Sequence, residues 1–385
     1  MKLIESLSSS NVLISTGTGG VGKTTISCAM AIAIAHAKNA KVLVITIDPA
    51  KRLGSILVEN ELGHDPVKIE HSHFFDSKID VKGELYGVTI DMSKGWNQLV
   101  ERFSEKQEDA EKIFENNMYQ NLTTRFTHSH DFIAMDQLYQ YYYKGEYDYI
   151  ILDTPPMSQA FDFFDAPKIV SDFFGGKILN LVTSPYRLSQ SSKGAKLFDL
   201  ASKPFFTLAN KVLGENFLND IGEFFYLFKK IHDPLLKRAN DITKFLKSDS
   251  LSCALIMSPT QYLERNYEHV VEELDARSMA LSNMVINMYP FSQHDLVEVE
   301  NFLDLKTSTA LEKNYIDYLC SEVEMAKQID AKVKNRGLSF GSGDFNVKDD
   351  QLEVFLIPKS FDVDLTKRLA YLVSVVLDSI SASNE

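Results

Sequence analysis

The sequence predicts an α/β fold, a mostly parallel sheet flanked by helices with a helical subdomain inserted into it, and three observations carry that expectation. First, Asn11–Thr25 (NVLISTGTGGVGKTT) is a short apolar run that breaks into glycines, then meets Lys23, Thr24 and Thr25 ahead of an apolar helical segment. Second, Lys41–Asp48 (KVLVITID) and Tyr147–Asp153 (YDYIILD) are nearly continuous apolar runs that each close on an aspartate. That is the pattern of parallel strands buried on both faces. Third, the long segments between strands are rich in Gln, Asn, Tyr and Phe at helical rather than alternating spacing. The chain is therefore expected to form one domain over residues 1–385, with a core drawn from 8–92, 146–160, 250–290 and 350–385. The helical subdomain is expected from 93–145 and 161–249.

The glycine-rich stretch carries the most chemistry. Gly17, Gly22, Lys23 and Thr24 fill the frame G-x-x-x-x-G-K-[ST], with Gly19 and Gly20 inside it. Glycines let successive backbone N–H groups turn inward around an anion, and the helix that follows, expected from Ile26 to Ala37, adds its positive N-terminal end. Gly19, Gly20, Val21, Gly22, Lys23, Thr24 and Thr25 are accordingly expected to bind a nucleotide. Lys23 would reach the β and γ phosphates, and the Thr24 hydroxyl would sit on Mg²⁺. A merely structural glycine turn calls for neither the Lys-Thr pair nor the preceding strand. The fold expected is that of a P-loop NTPase.

The strand Lys41–Asp48 runs into Pro49, Ala50, Lys51 and Arg52. Ligands of open α/β sheets bind beyond the carboxyl ends of the strands, so Asp48 is a candidate catalytic residue beside the loop; a helix cap is the plainer role. Leu85–Met92 reads as a further strand, and Ser93 to Gly145 as helices. Within these, Phe132, Met135, Leu138, Tyr139 and Tyr142 fall on one helical face, a packed face by default and otherwise a stripe for a client or cofactor. Asp153 closes its strand downstream of the loop, the position of a carboxylate that serves Mg²⁺ through water. The prolines after Thr154, Pro155 and Pro156, force a constrained turn.

The segment 160–248 is rich in phenylalanine, and Leu213, Phe217, Ile221, Phe224, Phe225 and Phe228 lie on one stripe. They form either the core of a helical subdomain or apolar surface for a client or dimer partner. Ala254–Met257, a turn at Ser258-Pro259-Thr260 and a helix over Tyr262–Leu274 follow. Met284–Asn287 is the next strand, and Asn287 at its end can read adenine by donating and accepting at once, or close a turn. Gly337–Asp350 is expected to be a loop, Leu352–Ile357 a last strand, and Asp364–Ile380 a last helix docked on the core.

Composition narrows the function classes. The 53 acidic against 40 basic residues give a net charge of −13, with no basic stripe, which argues against a general nucleic-acid binder. Met1–Ser10 shows no secretory apolar region and no run approaches the ~20 residues of a membrane span, so a cytoplasmic protein is expected. Cys28, Cys253 and Cys320 are far apart and have no metal-ligand spacing. The pairs His71/His73 and His128/His130 lack neighbouring cysteines, and a metal site there is not expected.

Taken together, GTGGVGKTT (17–25), TIDPAKRL (46–53), MYQNLTTRFTHSHDFIAMDQLY (118–139), YDYIILDTPP (147–156), the FDFFDAP segment ending at Pro167 and MVINMYP (284–290) resemble the ArsA-type ATPases, a branch of P-loop proteins that includes arsenical-pump ATPases and ATPases targeting tail-anchored membrane proteins. The likeness covers nearly the whole chain. It implies a dimer closing around two ATPs, with Asp48 orienting or activating the attacking water, Asp153 serving Mg²⁺ and Asn287 on adenine. This chain departs from the family pattern at Thr18, where the resemblance implies a lysine reaching across the dimer, and at Met157-Ser158-Gln159, where a Thr-Gly-His element is implied. It also lacks paired cysteines for arsenite or an interfacial zinc. The function expected is a cytoplasmic Mg²⁺-dependent ATPase whose dimer cycle binds and releases a protein partner, homodimeric or paired with a relative. The alternative is a weakly hydrolysing ATP-binding subunit, the regulatory or structural half of a heterodimer with a lysine-bearing relative.

Overall fold

The computed structural model describes residues 10–47, 62–70, 81–125, 127–175, 224, 226–259, 263–289 and 353–358. Chain contacts divide it into two compact units, one of residues 1–89, 141–160 and 247–385, the other of 90–140 and 161–246. The first unit is built on an eight-stranded sheet. Its strands are β1 (Val12–Thr16), β2 (Lys41–Thr46), β3 (Val67–Ile69), β4 (Glu84–Thr89), β5 (Tyr149–Asp153), β6 (Leu251–Met257), β7 (Leu281–Tyr289) and β8 (Glu353–Pro358), in the order β3-β4-β2-β5-β1-β6-β7-β8. All pairs are parallel except β3 with β4. The sheet and its helices have the P-loop NTPase fold.

The apolar runs take central places for a simple reason. Every residue of β1 and of β6 is buried, so a polar stretch there would lose its water without compensation. The helix α1 (Lys23–Lys38) lies on this sheet and is buried from Ile26 through Ala35. Small residues make that possible: Ser27, Cys28 and the alanines at 29, 31, 33 and 35 let the helix sink among Val42, Val44, Ile151, Ala254 and Ile256. Asn39 ends the helix in the left-handed region at φ 51°, its N–H bonded to the Ala35 carbonyl.

One strand end and one whole strand depart most from the sequence reading. The strand expected to reach Met92 stops at Thr89, because Asp91 caps a helix, its side chain accepting from Lys94 N–H at 3.0 Å. The edge strand β3 has only three residues and leaves no periodic trace in the sequence. The helix over Leu263–Ala276 and β7 begin within a few residues of where the pattern put them.

The second unit is helical. It holds α2 (Met92–Phe103), α3 (Gln107–Glu115), α4 (Asn117–Arg125), most of α5 (Thr127–Lys144), most of α6 (Met157–Gly175, with Pro167 inside it) and α7 (His232–Leu246). The helix α8 (Leu263–Ala276) belongs to the first unit. Asn116 caps α4 by accepting from the N–H groups of Met118 and Tyr119 at 2.9 and 3.2 Å. In α5 burial is not confined to one face: everything from Phe132 to Leu138 is buried, Asp136 and Gln137 included. Asp136 is sealed at 0% exposure among three partners, Arg102 Nη1 at 3.3 Å, Arg238 Nε at 3.2 Å and Gln140 Nε2 at 2.7 Å. Phe161, Phe163, Phe164, Phe224, Phe228 and Phe245 are buried, with the Phe224 and Phe228 rings 4.3 Å apart. These are core residues. Leu213, Phe217, Ile221 and Phe225 of the expected stripe lie outside the described residues, as do Gly337–Asp350 and the expected helix Asp364–Ile380.

Candidate functional site

The phosphate loop begins where β1 stops. Gly17 passes so close to β6 that a Cβ there would stand 2.0 Å from the Ile256 carbonyl oxygen. At the other end Gly22, the residue before α1, is left-handed at φ 84°, ψ 27°, a conformation that costs glycine nothing. Gly19 and Gly20 between them are exposed, and Pro156 comes up beside Gly19, its Cβ 4.0 Å from where a Gly19 Cβ would be. The first turn of α1 then supplies Lys23, Thr24 and the half-buried Thr25.

Lys23 is 8% exposed and turns back over the loop, its Nζ donating to the carbonyls of Gly17 at 3.1 Å and Thr18 at 3.0 Å. A cation is thereby fixed against the backbone that an anion would occupy. The Thr24 hydroxyl donates to Asp153 Oδ2 at 2.7 Å. Asp153, 2% exposed, is the last residue of β5 and stands in register between Ser15 of β1 and Thr46 of β2. Because Thr24 spends its proton on Asp153, its oxygen lone pairs stay available to a cation.

A buried hydroxyl cluster backs this pair. Ser27 Oγ lies 2.8 Å from Ser15 Oγ, 2.9 Å from the Lys23 carbonyl and 3.5 Å from Asp153 Oδ1, and its one proton can serve only one of them at a time. Thr154 Oγ1 donates to the Ser15 carbonyl at 2.6 Å and so fixes the turn that leaves β5. The sequence reading missed Ser15, Ser27 and Thr154; for the two serines, a hydroxyl within an otherwise apolar strand and helix was the available signal. The Asp153 charge is felt nearby, for the buried Cys28 thiol is pushed well above its ordinary range by burial first and by that carboxylate second.

Asn287 reaches the loop from the carboxyl end of β7. Its Nδ2 donates to the Val21 carbonyl at 2.8 Å, and the residue is 7% exposed. Asp48, Lys51 and Arg52 lie outside the described residues, although β2 delivers the chain to the same sheet edge through buried Ile47. Among the described residues no group of three or more His, Cys, Asp or Glu could form a metal cage. One hydroxyl paired with one carboxylate nevertheless suits Mg²⁺, which keeps most of its waters and takes few protein ligands. Among the described residues no helix is long and apolar enough to cross a membrane.

With this geometry in hand, the comparison with known families is direct: the model of the anion-transporting ATPases, ArsA_ATPase, matches residues 10–331. The chain belongs to this family of ATPases. Among curated relatives, the "ATPase ASNA1 homolog" of Plasmodium falciparum is 24% identical over 336 residues, 85% of this chain and 76% of that protein. The "ATPase get3" of Schizosaccharomyces pombe is 23% identical over 274 residues, 70% and 71% of the two chains. A Halobacterium salinarum protein named as an arsenical pump-driving ATPase is 25% identical over 192 residues, half of this chain. The match spans only 29% of that longer relative. The ArsA family resemblance read from the motifs is thus shown, and the P-loop fold with it.

Proposed function

We propose that this ArsA-family chain is a cytoplasmic Mg²⁺-dependent ATPase that works as a dimer and uses its nucleotide cycle to bind and release a hydrophobic protein partner. The observation that carries the ATPase part is the Thr24–Asp153 bond of 2.7 Å, one residue along from Lys23, whose ammonium is held on the loop. A hydroxyl, a buried carboxylate and a cation brought together at the start of a helix match the needs of a triphosphate with its metal. Bound Mg²⁺ would supply charge stabilisation where negative charge builds on the transferred phosphoryl group. The chain's own residues would do the rest: Thr24 and Asp153 would hold the metal, and Gly19, Gly20, Val21, Gly22 and Thr25 would wrap the phosphates. Lys23 neutralises the β and γ oxygens, Asn287 meets adenine, and Asp48 orients the attacking water.

Titration calorimetry tests this reading. The wild-type chain should bind ATP more tightly with Mg²⁺ than without. Thr24→Ala and Asp153→Asn should each erase most of that difference, and an unchanged Mg²⁺ dependence in both would overturn the site. A second reading is favoured by one observation. Position 18 is a threonine, so the chain brings no lysine of its own there to a partner's site. On that reading the chain is a slowly hydrolysing half of a heterodimer with a lysine-bearing relative.

A further inference from the structure

We infer that Asn287 is a positioning residue for the phosphate loop as well as a contact for the base, and that it acts by fixing the peptide between Val21 and Gly22. The inference rests on the ATP-binding reading above and goes beyond it. Asn287 belongs to β7, which is separated from β1 by β6, yet its Nδ2 reaches the Val21 carbonyl at 2.8 Å. Only the nitrogen side of an amide can face a carbonyl, so the orientation of the group is set by its partner. The peptide that follows is planar and trans, there being no cis bond among the described residues. In such a unit the C=O and the next N–H point in opposite directions. Drawing the Val21 carbonyl toward β7 therefore turns the Gly22 N–H away from β7. An anion in the loop needs that N–H inward, and a flipped peptide would present it with a carbonyl oxygen instead.

Two further features of the chain agree. A Cβ on Gly22 would stand 2.6 Å from Asn287 Nδ2, so any larger residue at 22 would displace the amide from its present place. Also, β7 departs from regular geometry at this point: Met288 is left-handed at φ 61°, and the register against β8 shifts between Ile286 and Tyr289. Irregularities of this kind persist at functional positions, and Asn287 lies inside this one. An amide nitrogen carries two protons. With one spent on Val21, the second N–H and Oδ1 remain for the base, so one side chain links base and phosphate loop.

The test uses a ligand with phosphates and no base, magnesium tripolyphosphate, titrated calorimetrically into the full wild-type chain and into Asn287→Ala and Asn287→Leu. Orphaning the Val21 carbonyl should weaken tripolyphosphate about 5- to 100-fold in both variants. Mg·ATP should weaken further, because the base contact is lost as well. Asn287→Leu keeps the branched side-chain shape without donor or acceptor, so it decides alone if the alanine variant does not fold. Tripolyphosphate affinity unchanged while Mg·ATP affinity falls would overturn the positioning role and leave the ATP reading standing. Failure of the wild-type chain to bind either ligand would overturn both.

Discussion

Lys23 illustrates how much a single residue can hold. Its ammonium donates to two loop carbonyls and is 8% exposed, so truncation removes the loop's cation and leaves those carbonyls without it. Charge-assisted hydrogen bonds contribute about 1.5–3 kcal/mol each, so Lys23→Ala should weaken Mg·ATP by at least about 10- to 100-fold. Undiminished affinity by calorimetry would rule out the site. Asp48→Asn should behave differently, leaving binding largely intact while hydrolysis falls, because the role proposed for it is on the water; equal loss of both would make Asp48 structural. The cysteines give a pH-dependent expectation. Burial pushes the Cys253 thiol up to about 12, and Cys28 is raised as well, so neither ionises near neutrality in the folded state. A Cys320→Ser variant should resist thiol-directed alkylation at pH 8 until it unfolds. An unfolded thiol ionises near pH 8.5, so these raised values stabilise the fold below that pH. The contribution should be lost progressively as pH rises from about 8.5 toward 12. Prompt alkylation of the native variant would show the thiols to be reachable.

Between elements, the Asp136 cluster is the clearest tie, since it brings Arg102 of α2 and Arg238 of α7 to one carboxylate on α5. A buried ion pair adds little over an apolar substitute, but removing one partner strands the others. Asp136→Ala should cost about 3–5 kcal/mol in denaturant-induced unfolding, and a loss below about 1 kcal/mol would show that water reaches the guanidinium groups. This cluster also explains what could and could not be read from the sequence. The runs at β1, β2 and β5 were legible because a strand buried on both faces must be apolar throughout, and the loop was legible because its glycines and Lys-Thr pair are adjacent in the chain. In α5 the spacing pointed to a single buried face, whereas Asp136 and Gln137 are buried too. What neutralises Asp136 comes from positions 102 and 238, and no local pattern encodes a partner a hundred residues away. The Ser15–Ser27–Asp153 cluster escaped because its carboxylate stands 126 residues along from Ser27. The three-residue β3 escaped because it is too short to show a period.

At the scale of the whole molecule the open matter is the partner, and Thr18 bears on it most directly. Its carbonyl is held by Lys23 while its side chain is short and neutral, so it can neither span to an opposite active site nor offset charge developing on the γ-phosphate. Loss of a transition-state cation supplied in trans costs about 10³-fold or more in rate for phosphoryl transfer. A homodimer of this chain should therefore bind Mg·ATP well and hydrolyse it slowly. Two routes restore the charge. Lys51 or Arg52, following Asp48, can supply it from the same chain, or a lysine-bearing relative can complete this chain's site while receiving nothing in return. Single-turnover measurements separate these cases. Thr18→Lys should raise the rate of the lone protein, and so should mixing the wild type with such a relative. Brisk hydrolysis by the wild-type protein alone, unaffected by Lys51→Ala and Arg52→Ala together, would show that no trans cation is needed and would remove the case for a dependent half.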